Sequence, residues 1–93
     1  MAIVFHIPGF LREWTGGRSR IEVDGSARTA GEALVSLCRS HPGVRDRVMT
    51  EQGEVRQHVN VFVGVESIRF TGGLDTPLED GCELSIVPAV SGG

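Results

Sequence analysis

Apolar residues recur at every second position, or in short β-branched runs, in five stretches of the chain. Such stretches are typical of strands, and each is bounded by Gly, Pro or polar turn residues. The predicted strands span residues 3–7, 20–23, 58–63, 68–70 and 83–87. Pro8-Gly9 ends the first strand, and a segment containing Phe10, Leu11 and Trp14 separates it from the second. The first two strands are therefore predicted to form a hairpin with a long loop.

A helical pattern lies between the second and third strands. Thr29 and Glu32 have the spacing of a capping box, in which the hydroxyl accepts an N–H from the first turn. Apolar residues then recur at steps of three and four, which places on one face Ala30, Ala33, Leu34, Leu37 and Cys38. His41-Pro42-Gly43 ends this pattern, and residues 44–49 are predicted to add a short helical turn before a polar loop over 50–57.

The predicted order β-β-α-β-β-β indicates an α+β fold of the β-grasp (ubiquitin-like) type. We expect a mixed sheet of four to five strands with one main helix packed on one face. In this arrangement the first and last strands pair in parallel at the centre. The predicted domain spans residues 1–88, and residues 89–93 are predicted to form a flexible C-terminal Gly-Gly tail.

Composition and charge narrow the range of functions. A chain of 93 residues fits one domain. The net charge of −3, with no basic run in the sequence, disfavours nucleic acid as a partner. No long apolar run or basic leader points to a membrane, so we expect a cytoplasmic protein. Cys38 and Cys82 have no metal-ligand spacing and fit a reducing compartment, and His6, His41 and His58 are too dispersed to predict a metal site.

The last two residues, Gly92 and Gly93, have no side chains and follow a predicted core strand. Many chains end in frayed residues, so a Gly-Gly end is weak evidence when taken alone. A peptide without side chains, however, can enter a channel too narrow for a β-carbon and bring its carboxylate to a nucleotide phosphate. Adenylation would give that carboxylate a leaving group, and sulfide or a persulfide could then displace AMP to form a thiocarboxylate.

The C-terminal sequence Val87-Pro88-Ala89-Val90-Ser91-Gly92-Gly93, preceded by Leu78-Glu79-Asp80-Gly81, resembles the signature of a sulfur-carrier family. That family includes the small subunits of molybdopterin synthase and the carriers of thiazole synthesis, and the resemblance in organisation covers the whole chain. Residues 69–76 together with the tail are most similar to actinobacterial carriers that supply sulfur for cysteine synthesis. Carriers of the molybdopterin type more often have two prolines before the terminal valine, where this chain has Pro88-Ala89.

The resemblance implies a carrier rather than an enzyme, with no catalytic residue, metal or bound cofactor of its own. Gly93 would be adenylated by a partner of the ubiquitin-activating type that uses ATP, and Val90, Ser91 and Gly92 would present it. A downstream acceptor, such as a PLP-dependent cysteine synthase, would then take the sulfur. The alternatives are a subunit of molybdopterin synthase, a donor for another thiolated metabolite, a modifier joined to lysines of other proteins, and a plain interaction module.

Strand parity predicts where a partner would dock. His58, Asn60 and Phe62 share one face of their strand, and the two polar members mark it as the solvent face. The same parity turns Val87 outward in the last strand. If the two strands are neighbours, Phe62 and Val87 form one exposed patch at the root of the tail.

Overall fold

The structure, a computed structural model, describes residues 2–23 and 25–88. Its centre is a five-stranded mixed sheet in the order β2-β1-β5-β3-β4. The strands are β1 (Ile3–His6), β2 (Arg20–Val23), β3 (Val59–Val63), β4 (Glu66–Ser67) and β5 (Glu83–Pro88). β1 and β5 pair in parallel, and the other pairs are antiparallel. The β-grasp fold and the central parallel pair, both predicted from element order, are confirmed.

One face of the sheet carries the core, and we call it the inner face. Phe5, Val61 and Leu84 occupy neighbouring positions there and are fully buried. Helix α1 (Ala30–Ser40) covers this face with the residues that the spacing predicted. Each of them is buried: Ala30, Ala33, Leu34, Leu37 and Cys38. Burying these side chains removes apolar surface from water, which is the main term that stabilises the fold.

The capping residues of α1 work as predicted, with one difference. The Glu32 backbone N–H donates to Thr29 Oγ1 at 3.2 Å. The Glu32 carboxylate reaches back one residue further than in a standard capping box and accepts from the Arg28 backbone N–H at 2.8 Å. The helix start is also tied to the approach to β5, because the Ala30 N–H donates to the Thr76 carbonyl at 2.9 Å.

The predicted helical turn over residues 44–49 is a complete second helix, α2 (Pro42–Val48). Pro42 ends α1 and opens α2, because its fixed φ suits a first helical position where no N–H is needed. Val44 and Val48 lie one turn apart and are both buried, which fixes α2 against the core. The predicted end of α1 is confirmed, but the extent of the second helix was underestimated.

The prediction of a strand over residues 68–70 is wrong. β4 lies just before this segment, and Ile68–Phe70 forms a 3₁₀-helix. Ser67 Oγ starts this turn by accepting from the Arg69 backbone N–H at 3.3 Å. The Arg69 guanidinium then donates to the carbonyls of Gln57 at 2.8 Å and Val59 at 2.9 Å, which draws the segment back over β3.

Two further 3₁₀-helices connect the strands, over Gly9–Trp14 and Gly73–Asp75. The first lies in the long loop of the predicted hairpin. β1 stops one residue before the predicted end and β5 runs one residue beyond it, to Pro88. Across the described ranges, neither α-helix has the length and apolar character needed to cross a membrane.

Candidate docking face and tail root

The residues proposed for the chemistry follow directly on β5. Val90, Ser91, Gly92 and Gly93 lie outside the described residues, as does Ala89. Pro88, the last described residue, is opposite Val59 at the start of β3. β5 pairs with β1 and β3 over its first half and with β3 up to Pro88, so its register fixes the position of Pro88. We call this point the tail root.

The face of the sheet opposite the core, here the outer face, carries both residues of the predicted patch. Phe62 is opposite Ser85 on β5, and Val87 is opposite Asn60 on β3. Phe62 and Val87 are thus diagonal neighbours on adjacent strands, a spacing that an aromatic side chain spans. Their predicted position on one face, at the strand that leads into the tail, is confirmed.

The two residues differ in exposure. Val87 is 38% exposed. Phe62 was predicted to be exposed, but it is partly buried, so that prediction is wrong. The reason is that β3 has a strand on either side at this position: Ser85 of β5 on one and Ser67 of β4 on the other. A side chain between two neighbours loses surface that a residue on an edge strand keeps.

The rest of the outer face is mixed in polarity. His6 Nε2 and Glu83 Oε1 are 2.5 Å apart across the parallel pair β1–β5; the His6 side chain is partly exposed and the Glu83 side chain more so. Next to this pair, Val4 is buried although it does not belong to the core cluster on the inner face. The apolar surface that the outer face exposes comes from Phe62 and Val87 and is set among polar groups, as on many protein-binding surfaces.

A second feature lies at the tail root and was not predicted. A groove of about 470 Å³, which we call the tail-root groove, is lined by Phe10, Trp14, Asp46, Arg47, Arg56, His58 and Pro88. The Arg47 guanidinium carbon lies 3.4 Å from the centre of the Trp14 ring. Gly43, one turn before Arg47, leaves room for the indole, because a β-carbon there would lie 2.1 Å from Trp14 Cδ1. Two sequence features could have indicated this groove: the four-residue spacing of Gly43 and Arg47, and the single tryptophan, Trp14.

The cysteines contribute little to the chemistry of either feature. Cys38 and Cys82 are free thiols, and neither lines the tail-root groove. Burial raises the pKa of the Cys38 thiol, and burial also raises that of Cys82. Both therefore stay protonated at neutral pH, where a thiol is a poor nucleophile. Within residues 2–23 and 25–88, no cluster of three or more His, Cys, Asp or Glu side chains is arranged to hold a metal ion.

Comparison with known proteins identifies the family. The model of the ThiS family matches residues 5–93. The sulfur carrier protein CysO of Mycobacterium tuberculosis is 36% identical over 95 aligned positions, covering 100% of both chains. The small archaeal modifier protein 1 of Haloferax volcanii is 39% identical over 84 positions, covering 89% of this chain and 91% of the relative. The crystal structure of the Amycolatopsis orientalis BexX/CysO complex matches with a TM-score of 0.87 at 36% identity, covering 99% of this chain and 100% of that one. The chain belongs to the ThiS family of ubiquitin-like sulfur carriers.

Proposed function

We propose that this chain carries sulfur as a thiocarboxylate on Gly93 and supplies it to cysteine biosynthesis. One observation carries the proposal: a rigid central strand ends at Pro88, and five residues with a side-chain-free Gly92-Gly93 end follow it. The full-length similarity to a sulfur carrier named CysO supports both the role and the pathway. The chain is then a co-substrate of other enzymes rather than an enzyme.

The chemistry proceeds in two displacements. The Gly93 carboxylate attacks the α-phosphorus of ATP on the activating enzyme, and pyrophosphate leaves to give an acyl adenylate. Hydrosulfide then attacks the acyl carbon and AMP leaves, so the product is the thiocarboxylate with no change of oxidation state. Adenylation is needed because a free carboxylate is a poor electrophile. Both ATP and the catalytic groups belong to the partner enzyme.

The activating enzyme, of the ubiquitin-activating type, grips the outer face while it holds the tail. Phe62 and Val87 supply the apolar part of that contact, since they adjoin the strand that leads into residues 89–93. Val90, Ser91 and Gly92 span the distance from this grip to the reacting atom. A rigid root with a narrow end aims the carboxylate without contributing any catalytic side chain.

The acceptor of the sulfur is a second partner. A relative has been crystallised in a BexX/CysO complex, which supports the view that such carriers assemble with the enzymes they serve. For this chain we propose a PLP-dependent cysteine synthase as the acceptor. Two alternatives would use the same thiocarboxylate chemistry. The chain could be the small subunit of molybdopterin synthase, or it could donate sulfur to another thiolated metabolite.

A modifier function is the second candidate, because relatives at 39% identity are named small archaeal modifier proteins. In that case a lysine amine of another protein would attack the acyl carbon of the Gly93 adenylate, forming an amide bond while AMP leaves. This chain has no lysine of its own, so it cannot form lysine-linked chains with itself.

Mass spectrometry of the protein from its native host separates these functions. A carrier gains one sulfur in exchange for one oxygen at Gly93, whereas a modifier leaves its C-terminal peptide on foreign lysines; trypsin would leave residues 70–93 there, because Arg69 is the last tryptic site of the chain. In vitro, adding one residue after Gly93 is expected to abolish ATP-dependent pyrophosphate release, and Gly92→Ala is expected to reduce it without lowering the melting temperature. Full activity of the extended protein, with proteases absent, would contradict the proposal.

A further inference from the structure

We propose that the tail-root groove is a second docking site, which receives an acidic segment with an apolar side chain from the enzyme that activates Gly93. This inference rests on the proposed function, since it assigns the partner of the same tail. It adds a contact that is separate from Phe62 and Val87, which lie on the outer face.

The floor of the groove is apolar and held in place. Trp14 packs closely against the backbone of α2 at Gly43 and under the Arg47 guanidinium, so the indole is held from two directions. Phe10 is 43% exposed beside it. A partly exposed pair of aromatic rings that is already ordered loses little entropy when a partner covers it.

The rim of the groove is basic. Arg47, Arg56 and His58 line it, and Asp46 is the carboxylate among the lining residues. Arg56 is positioned by a bond from its Nε to the Asp46 carbonyl oxygen at 3.0 Å. In the described part of the chain, the residues that form ion pairs are His6 with Glu83 and Arg20 with Glu22, so neither groove arginine has a carboxylate partner. A guanidinium stacked on a ring keeps its edge N–H groups free for bidentate binding of a carboxylate.

The location of the groove indicates which protein would bind there. Pro88 lines it, so any protein that holds residues 89–93 lies next to it. The whole chain carries a net charge of −3, which repels a long polyanion such as RNA. A short acidic segment on a protein surface meets only the local positive charge. Charge complementarity and position therefore favour the activating enzyme over nucleic acid.

The test is the charge reversal Arg47→Glu, with Arg28→Glu as the matched control. Arg28 precedes α1 near the Thr29–Pro77 bridge, is exposed, and does not line the groove. We expect Arg47→Glu to raise the KM for the carrier in pyrophosphate release, and the calorimetric Kd for the purified activating enzyme, by about tenfold or more. The kcat at saturation should stay unchanged, and Arg28→Glu should remain within about twofold of wild type.

A second variant covers the case in which Arg47→Glu disturbs the packing of Trp14. Phe10→Ala removes an exposed ring from the floor, so it should keep the melting temperature and still raise KM severalfold. Equal shifts in Arg47→Glu and Arg28→Glu would show a long-range charge effect and overturn the groove, as would no shift in either groove variant. Tight binding of a single-stranded RNA oligonucleotide, lost in Arg47→Glu, would assign the groove to nucleic acid instead. If wild type itself releases no pyrophosphate with the enzyme, the proposed function fails and this inference fails with it.

Discussion

The two faces of the central sheet are formed by the same strands but differ in burial. On the inner face, β5 contributes Leu84 and Ile86, which are buried under α1 and its neighbours. On the outer face, the same strand presents Ser85 and Val87, and Val87 keeps 38% of its surface exposed. The strand that anchors the core is thus also the strand that leads to the proposed site of chemistry. Under the proposed function, this strand would connect the buried core to the residues that carry the chemistry.

The difference between the faces predicts that stability and recognition can be changed separately. Alternating side chains of a strand point to opposite faces, so neighbouring residues of one strand contribute to different properties. Inner-face substitutions should lower the free energy of unfolding, and outer-face substitutions should lower partner affinity. Each of the following variants tests this separation.

The largest effect is expected where α1 meets the inner face. Leu34 and Leu37 are fully buried, and their truncation to Ala leaves a cavity that the rigid sheet cannot fill. We expect Leu34→Ala and Leu37→Ala each to lower the free energy of unfolding by roughly 2–5 kcal/mol in urea titration.

Val35→Ala is the matched control on the same helix, because Val35 is 53% exposed and points away from the core. Its effect should stay within about 0.5 kcal/mol. Losses of similar size at positions 35 and 37 would mean that α1 does not bury the face described.

The next effect is on binding and comes from the outer face. Phe62→Ala combined with Val87→Ala should weaken the free energy of binding to the activating enzyme, measured by calorimetry, by about 2 kcal/mol or more. Aromatic residues at such patches tend to dominate affinity. Because Phe62 is half-buried, we also expect a modest loss of stability, smaller than that of Leu37→Ala.

Phe70→Ala controls for the loss of a phenyl ring. Phe70 is 89% exposed and lies in the 3₁₀-helix after β4, so it is not part of the Phe62–Val87 pair on the outer face. It should leave the dissociation constant unchanged. If the double variant also bound like wild type, residues 89–93 and the tail-root groove would carry the recognition without the outer face.

Most of the fold could be predicted from local patterns. The alternation in residues 58–63 and 83–87 predicted both strands to within one residue, and it predicted their buried sides correctly. The steps of three and four gave the correct face of α1. The segment at Ile68 and Phe70 misled, because an apolar-polar-apolar triplet fits both a strand and a 3₁₀ turn. The 3₁₀ turn is held by the Ser67 hydroxyl at its start and by the bonds from the Arg69 guanidinium to the carbonyls of Gln57 and Val59.

The candidate site was less accessible to sequence reasoning. Phe62 and Val87 were found because strand parity and strand order suffice to place them. The partial burial of Phe62 was not predicted, because it depends on β4, a strand of two residues that no sequence pattern indicated. The tail-root groove was missed because its residues come from separate parts of the chain. A net charge of −3 gives no hint that Arg47, Arg56 and His58 line one groove.

The smallest effect is expected at the start of α1. Thr29 Oγ1 satisfies one N–H of the first turn, that of Glu32, at 3.2 Å. Thr29→Ala removes this bond and should lower the free energy of unfolding by about 1 kcal/mol. The loss is limited because two backbone bonds hold the entry of the helix without the hydroxyl: Ala30 N–H to the Thr76 carbonyl and Leu78 N–H to the Arg28 carbonyl, both 2.9 Å. Thr29→Ser keeps the acceptor oxygen and should retain most of the stability in the same urea titration. A loss as large as that of Leu37→Ala would show that the cap organises the inner face, and a loss in Thr29→Ser equal to that in Thr29→Ala would show that the methyl group, not the hydrogen bond, makes the contribution.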